Sequence, residues 1–237
     1  MKLNPILTAA AAMIPAAALV AVGVTAALRS VPGRELPVFH EVAPFSFQER
    51  SGRTVSREDL RGRVWIADFI FTSCAGICPG MTANFRKVDQ ALRDVSGQVV
   101  LVSFTVDPER DTEEKLTAYA NSQGAGDHWL FLRGPREEVV RLSREGFLLG
   151  AGAFPPQSPG GDGRVLPVPV RPPASGSADP ATPPPEPGQE PIAHDRHFVL
   201  VDRLGRIRGY YDGLEDAPVA AVARDARALL RETPPAP

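Results

Sequence analysis

Two cysteines, Cys74 and Cys78, are the residues of this sequence best suited to chemistry, and the chain contains no others. Cys74 follows an apolar run, and Cys78 precedes Pro79, a residue type favoured at the first position of a helix. If the turn between the cysteines is helical, residues at i and i+4 share a face, with Cβ atoms about 5–6 Å apart. Such a pair can hold one metal ion or close a disulfide. The start of a helix also favours a thiolate at Cys78.

A metal site needs a third ligand, and the sequence offers four histidines: His40, His128, His194 and His197. His194 and His197 flank the start of an apolar run, where a side chain can reach a neighbouring strand-to-helix loop. Spacing alone leaves both of these open as ligands. Two thiolates and one imidazole form a soft set of three donors, whereas structural zinc normally takes four protein ligands. Copper is therefore the metal that this set favours.

The elements that must position the cysteines follow a β-α-β pattern. Val64–Thr72 and Val99–Asp107 are near-continuous apolar runs, typical of parallel strands that are covered on both faces. Pro79–Val95 carries apolar residues at helical spacing between them. Asp107, Pro108 and Asp111 follow the second strand, in a loop expected near the cysteine loop. Turn and N-cap chemistry explains Pro108 and Asp111, and Asp107 either shares that role or supports the metal site or a partner contact. The remaining predicted elements are a small hairpin over Phe45–Val55, helices over Thr112–Ser122, Pro135–Phe147 and Ala217–Arg231, and strands over Trp129–Arg133, His197–Asp202 and Ile207–Tyr211.

Two further segments have a composition unlike a folded domain. Pro5–Leu28 runs 24 residues without a charge. A helix of that length spans about 36 Å, enough for a bilayer core, so residues 1–34 are predicted to be a membrane anchor or a cleaved signal segment. Pro155–Pro191 contains 13 prolines in 37 residues and is predicted to be a disordered insert. Residues 35–237 otherwise form one predicted domain.

The overall composition excludes several classes of protein. The net charge of −2 and the sequence pI of about 6.1 argue against a nucleic-acid-binding protein, which usually has a basic surplus. Two cysteines are too few for a disulfide-stapled scaffold or a four-cysteine zinc site.

Three segments together resemble the Sco/SenC family of copper-binding proteins: DFIFTSCAGICPGMT (68–82), VSFTVDPERDT (102–112) and AHDRHFVLVDRLGRIRGYYDG (193–213). The resemblance implies an α/β fold of the thioredoxin-like, peroxiredoxin-related type, with a central mixed sheet flanked by helices and one transmembrane helix before it. It also implies that Cys74, Cys78 and a downstream histidine bind copper, as Cu(I) or Cu(II). The family histidine lies four residues before the position of Phe198, which selects His194 over His197. This chain departs from the family in having Asp195 after that histidine and a long proline-rich insert before it.

The same resemblance predicts the function. Family members help to assemble the dinuclear copper centre, CuA, of cytochrome c oxidase. The expected role is a membrane-tethered metallochaperone that delivers copper to the oxidase subunit carrying CuA, with other copper chaperones as further partners. The expected location is the cell inner membrane, with a single membrane pass and the soluble domain on the periplasmic, extracytoplasmic side. The alternative is a thiol-disulfide oxidoreductase that uses Cys74 and Cys78 to reduce the copper-ligand cysteines of the same target.

Overall fold

A mixed β-sheet organises the protein in the computed structural model, which describes residues 36–74, 76, 78–149 and 196–232. The described residues contribute seven strands to it. The strands are β1 (Ser46–Glu49), β2 (Thr54–Ser56), β3 (Val64–Ile70), β4 (Val99–Thr105), β5 (Trp129–Arg133), β6 (His197–Val201) and β7 (Ile207–Asp212).

Four α-helices connect or follow these strands within the described ranges. They are α1 (Cys78–Leu92), α2 (Glu113–Gln123), α3 (Arg136–Arg141) and α4 (Asp216–Arg231). The hydroxyl of Thr112 caps α2 by accepting from the Lys115 N–H, and Gly124 ends that helix in the left-handed conformation (φ 70°).

The strand order is β2-β1-β5-β4-β3-β6-β7. β3 runs parallel to β4, and β4 runs parallel to β5, whereas β6 runs antiparallel to both β3 and β7. The carboxyl ends of β3 and β4 therefore lie at the same edge of the sheet as the amino end of β6. This edge carries the cysteine loop, which follows β3.

Alternating side chains of β3 divide the interior into two apolar cores, one on each face of the sheet. Ile66 and Ile70 pack with residues of α1 and α4, including Met81 and Phe85. Trp65 and Phe69 pack on the other face with residues that precede the sheet and with the region after α3. Because both faces are covered, β3 and β4 are buried at every position, as their apolar runs predict.

The prediction of a mixed sheet flanked by helices is confirmed, with differences at the ends of elements. β3 ends at Ile70 rather than Thr72, since the Thr72 N–H donates to the Asp111 carboxylate instead of a neighbouring strand. The predicted helix over Pro135–Phe147 changes at Leu142 from α-helix to a π-helical turn that ends at Gly146.

The predicted anchor, Pro5–Leu28, and the predicted insert, Pro155–Pro191, both lie outside the described residues. Within the ranges that the structure describes, no helix has the length and apolar character needed to cross a membrane.

Candidate metal centre

The two cysteines lie on either side of the junction between β3 and α1. Cys78 is the first residue of α1, as predicted, and Cys74 lies in the preceding loop, where its N–H donates to the Phe71 carbonyl at 3.3 Å. Both are free thiols, and the Cys74 side chain contributes to the raised pKa of Cys78, so the two thiols lie near each other. The structure therefore brings together two sulfur atoms that can bind one soft metal ion or form one disulfide.

The two sulfur atoms differ in exposure. Cys74 is partly exposed, whereas Cys78 is 4% exposed. Burial raises the pKa of Cys78 to about 12, helped by the Cys74 side chain and the charge of Asp68, although a hydrogen bond with the Phe71 backbone lowers it. The prediction that the helix start favours a thiolate at Cys78 is thus wrong for the metal-free protein, because desolvation of the sulfur outweighs the helix terminus. Binding of a metal ion must displace the Cys78 proton.

A buried carboxyl group, Asp68, lies on the α1 side of β3, between Ile66 and Ile70 in the alternation of the strand. Asp68 is 0% exposed, and neither of its carboxyl oxygens has a hydrogen-bond partner within the described part of the chain. Burial raises its pKa to about 7. The nearby Ser103 hydroxyl on β4 opposes that rise only in part, and it does not meet the geometry of a hydrogen bond to either oxygen. Sequence reasoning assigned Asp68 no role, although a charged residue inside a buried strand was a visible signal.

Tyr119 of α2 also belongs to the surroundings of the cysteines. Its hydroxyl is 2.7 Å from the Thr82 hydroxyl of α1. Burial raises the pKa of Tyr119 to about 12, with contributions from the charges of Asp68, Cys78 and Cys74. These four ionisable groups are therefore within electrostatic reach of one another. Sequence reasoning missed Tyr119, because nothing local indicates which side of α2 faces the cysteine helix.

The acidic residues after β4 have different partners. The Asp107 carboxylate is buried and forms ion pairs with Arg110 at 3.6 Å and Arg136 at 4.0 Å. Its carbonyl accepts from the N–H groups of Arg110 and Asp111, which forms the turn that is one of the two alternatives left open by the sequence. Asp111 instead reaches the cysteine loop, where its carboxylate accepts from Thr72.

The predicted histidine ligand, His194, lies outside the described residues. The alternative ligand, His197, is the first residue of β6. The next residue, Phe198, packs on Phe85 of α1 with ring centroids 4.7 Å apart. Successive strand residues face opposite sides of a sheet, so His197 faces away from α1. No group of three His, Cys, Asp or Glu side chains suited to a metal ion occurs in the ranges that the structure describes.

Hydrogen bonds link the start of β6 to the cysteine helix. The amide of Asn84 in α1 donates to the Gly213 carbonyl at 2.8 Å. The Gly213 N–H in turn donates to the Arg196 carbonyl at 2.7 Å, and the Arg196 guanidinium pairs with the buried Asp212 at 2.8 Å. Arg196 is therefore held at the edge of the sheet that carries the cysteines.

Comparison with known proteins identifies the family. The family model described as SCO1/SenC matches residues 34–159, a range that includes both cysteines and the loop after β4. A SCO1 protein homolog of Bacillus subtilis is 32% identical over 192 residues, which cover 81% of this chain and 83% of that protein. The chain belongs to the SCO1/SenC family.

Solved structures of Sco proteins share the fold of this SCO1/SenC chain. BsSco, a member of the Sco family of cytochrome c oxidase assembly proteins in which a disulfide switch has been identified, is 28% identical and superimposes with a TM-score of 0.60. The alignment covers 84% of this chain and 98% of BsSco. Copper-bound ScoI of Bradyrhizobium japonicum is 21% identical and superimposes with a TM-score of 0.54. The alignment covers 80% of this chain and 99% of ScoI, and this likeness shows the shared fold.

Proposed function

We propose that this SCO1/SenC protein is a copper metallochaperone that delivers copper to the CuA centre of cytochrome c oxidase during assembly. The observation that carries the proposal is the pair of free thiols of Cys74 and Cys78, which lie near each other at the junction of β3 and α1. Two thiolates suit Cu(I), which accepts a small, soft set of donors. Copper is the cargo of such a protein rather than a catalyst within it.

His194 is the third ligand in this proposal. Two observations support the choice over His197. His197 lies on the sheet face opposite α1, as the packing of Phe198 on Phe85 indicates. Arg196, two residues after His194, is bonded through Gly213 to the cysteine helix. The residue two positions after the proposed ligand is therefore tied to the helix that begins at Cys78.

The segment 1–34 completes the proposal as a membrane anchor. Its uncharged run Pro5–Leu28, 24 residues in length, is long enough to span a bilayer. An anchored domain on the periplasmic side would meet the oxidase subunit that carries CuA, and the partly exposed Cys74 would be the first sulfur available to that acceptor. Recovery of the full chain in the membrane fraction is expected, whereas a soluble exported product that begins near Ala27 would show that the segment is a cleaved signal.

Cu(I) titration of single variants tests the ligand set. Cys74→Ala and Cys78→Ala are each expected to abolish stable binding, because one thiolate and one imidazole hold Cu(I) poorly. His194→Ala is expected to weaken binding. His197→Ala is the matched control and is expected to leave the dissociation constant unchanged. Equal losses in the two histidine variants would contradict the assignment of His194.

A thiol-disulfide oxidoreductase is the second candidate function. The proximity of the two free thiols favours it, since neighbouring thiols can transfer two electrons to a disulfide of the target and become a disulfide themselves. The disulfide switch identified in BsSco concerns a relative with the same fold.

Reconstitution of a soluble CuA domain separates the two functions. A chaperone transfers copper stoichiometrically to the reduced acceptor and fails when His194 is replaced by alanine. A reductase reduces the oxidised acceptor without copper and tolerates His194→Ala. Assembly of CuA from free copper by the metal-free His194→Ala protein would contradict the chaperone and establish the thiol chemistry as the primary function.

A further inference from the structure

Asp111, in the loop between β4 and α2, has a buried carboxylate that joins two loops at the edge of the sheet. It is 0% exposed. The Thr72 N–H donates to its two oxygens at 3.1 and 3.3 Å, and the Thr72 hydroxyl donates to one of them as well. The Thr105 hydroxyl, at the end of β4, donates to the other oxygen at 2.5 Å. One carboxylate thus binds the end of β4 and the first turn of the cysteine loop.

The partners of this carboxylate are all uncharged donors from two other segments. A buried carboxylate is costly unless hydrogen bonds replace its hydration, and the three donor groups do so here. Such an anion has few alternative positions, because any movement of Thr72 away from it removes two of its three donor groups and leaves only the Thr105 hydroxyl. The carboxylate therefore restrains Thr72 more strongly than a contact between neutral groups would.

Thr72 lies two residues before Cys74. Between them the chain begins the turn in which the Cys74 N–H bonds to the Phe71 carbonyl. At the base of the same loop, the Val106 N–H donates to the Ile70 carbonyl at 2.9 Å, which aligns the ends of β3 and β4. The direction in which the chain leaves β3 toward Cys74 is thus set by contacts with the loop that holds Asp111.

We propose that Asp111 is a positioning residue that holds the Cys74 loop, and hence the Cys74 sulfur, at the separation from Cys78 that metal binding and disulfide formation both require. The part of this inference that concerns copper rests on the proposed function. The part that concerns the two sulfur atoms stands without it. Asp111 acts through Thr72 and touches neither the metal nor the sulfurs.

The experiment compares Asp111→Asn with a matched buried aspartate, Asp202→Asn, in the full chain purified in detergent. Asp202 is 5% exposed and also accepts from backbone N–H groups, those of Leu204 and Arg206. It lies in the β6–β7 hairpin, at the opposite end of the sheet from the cysteines. Loss of stability is expected in both variants, so stability alone does not decide the question.

Two measurements decide it. The first is the Cu(I) dissociation constant, obtained by competition with a chromophoric chelator. The second is the equilibrium with glutathione disulfide, in which the two thiols lose two electrons and two protons, the Cys74–Cys78 disulfide forms, and two molecules of glutathione are released. Asp111→Asn is expected to raise the dissociation constant about tenfold or more, as loss of an outer support of a metal site typically does. It is also expected to lower the disulfide equilibrium constant by about the same factor, because the sulfurs are less well placed. Asp202→Asn is expected to change neither.

Unchanged constants in Asp111→Asn, equal changes in the two variants, or a change in copper binding alone would each overturn the positioning role. If the parent chain does not bind Cu(I), the proposed function fails, and the disulfide equilibrium by itself decides the role of Asp111. If Asp111→Asn does not fold, Thr72→Val removes one donor of the same contact and is expected to shift both constants in the same direction by a smaller factor.

Discussion

Replacement of Asp68 by asparagine is expected to change how the stability of this protein depends on pH. The Asp68 carboxyl group is 0% exposed, and its oxygens have no hydrogen-bond partner in the described part of the chain. Burial raises its pKa from 3.8 to about 7. In the unfolded chain the same group regains water and ionises near its ordinary pKa. Folding therefore opposes ionisation of Asp68 at every pH above about 4.

The sign and size of the effect follow from linkage. Between pH 4 and pH 7 the unfolded state releases the Asp68 proton and the folded state retains it, so the contribution of this group to the free energy of unfolding falls as pH rises. Above pH 7 both states are ionised and the contribution is constant. With about 1.4 kcal/mol for each unit between the two pKa values, the total loss is about 4 kcal/mol as an upper bound.

Urea denaturation at pH 4.5 to 8.5, under reducing conditions, measures this effect in parent and Asp68→Asn. The buried amide has a cost of its own, about 1–3 kcal/mol for an unsatisfied group, but that cost does not vary with pH. The difference in free energy of unfolding, variant minus parent, is therefore expected to rise from pH 4.5 to 7 and then to level off. The slope is the test, whichever protein is the more stable at a single pH.

Asp202→Asn is the control for this measurement too. Burial opposes ionisation of Asp202, but hydrogen bonds from Arg206, the Leu204 backbone and Arg208 outweigh burial and lower its pKa. Its stabilising contribution is lost only below its ordinary pKa of 3.8, so the Asp202→Asn difference is expected to be flat over the same range. A flat difference for Asp68→Asn, or one that falls with pH, would refute the claim that a neutral carboxyl group is buried on the α1 side of β3.

Three further predictions concern the cysteine region and the insert. The raised pKa of Cys78 means that this thiol loses a proton when copper binds. The Cu(I) association constant, measured by chelator competition, is therefore expected to rise at least about tenfold per pH unit from pH 6 to pH 8. An association constant that does not vary with pH would contradict this prediction. Thr82→Val removes the hydrogen-bond partner of the Tyr119 hydroxyl and is expected to lower the free energy of unfolding by about 1 kcal/mol, measured by urea denaturation. An unchanged free energy of unfolding would contradict this contribution. Limited proteolysis is expected to cut first within residues 155–191. Replacement of that segment by a Gly/Ser linker is expected to leave the melting temperature nearly unchanged. A large drop in the melting temperature would show that the segment packs on the domain.

The sequence by itself determined the elements whose signals are local. Apolar runs predicted β3 and β4, since a strand covered on both faces has no polar side. The position of Pro79 predicted that α1 begins at Cys78. The four-residue spacing of the cysteines predicted their proximity, and their soft donor atoms favoured copper. Resemblance to a known family selected His194.

Only the tertiary structure decided which distant groups surround the cysteines. The Asp111 carboxylate meets Thr72 across 39 residues of sequence, and the Tyr119 hydroxyl meets that of Thr82 across 37. Such contacts depend on how parallel strands align and how helices pack on them, and no short segment encodes either. The pKa values depend on the same packing: the helix start alone favoured a thiolate at Cys78, but burial beneath neighbouring elements reversed the effect. Local patterns specify where the cysteines lie along the chain, whereas their electrostatic environment is a property of the assembled core, because desolvation depends on every element that excludes water from the site.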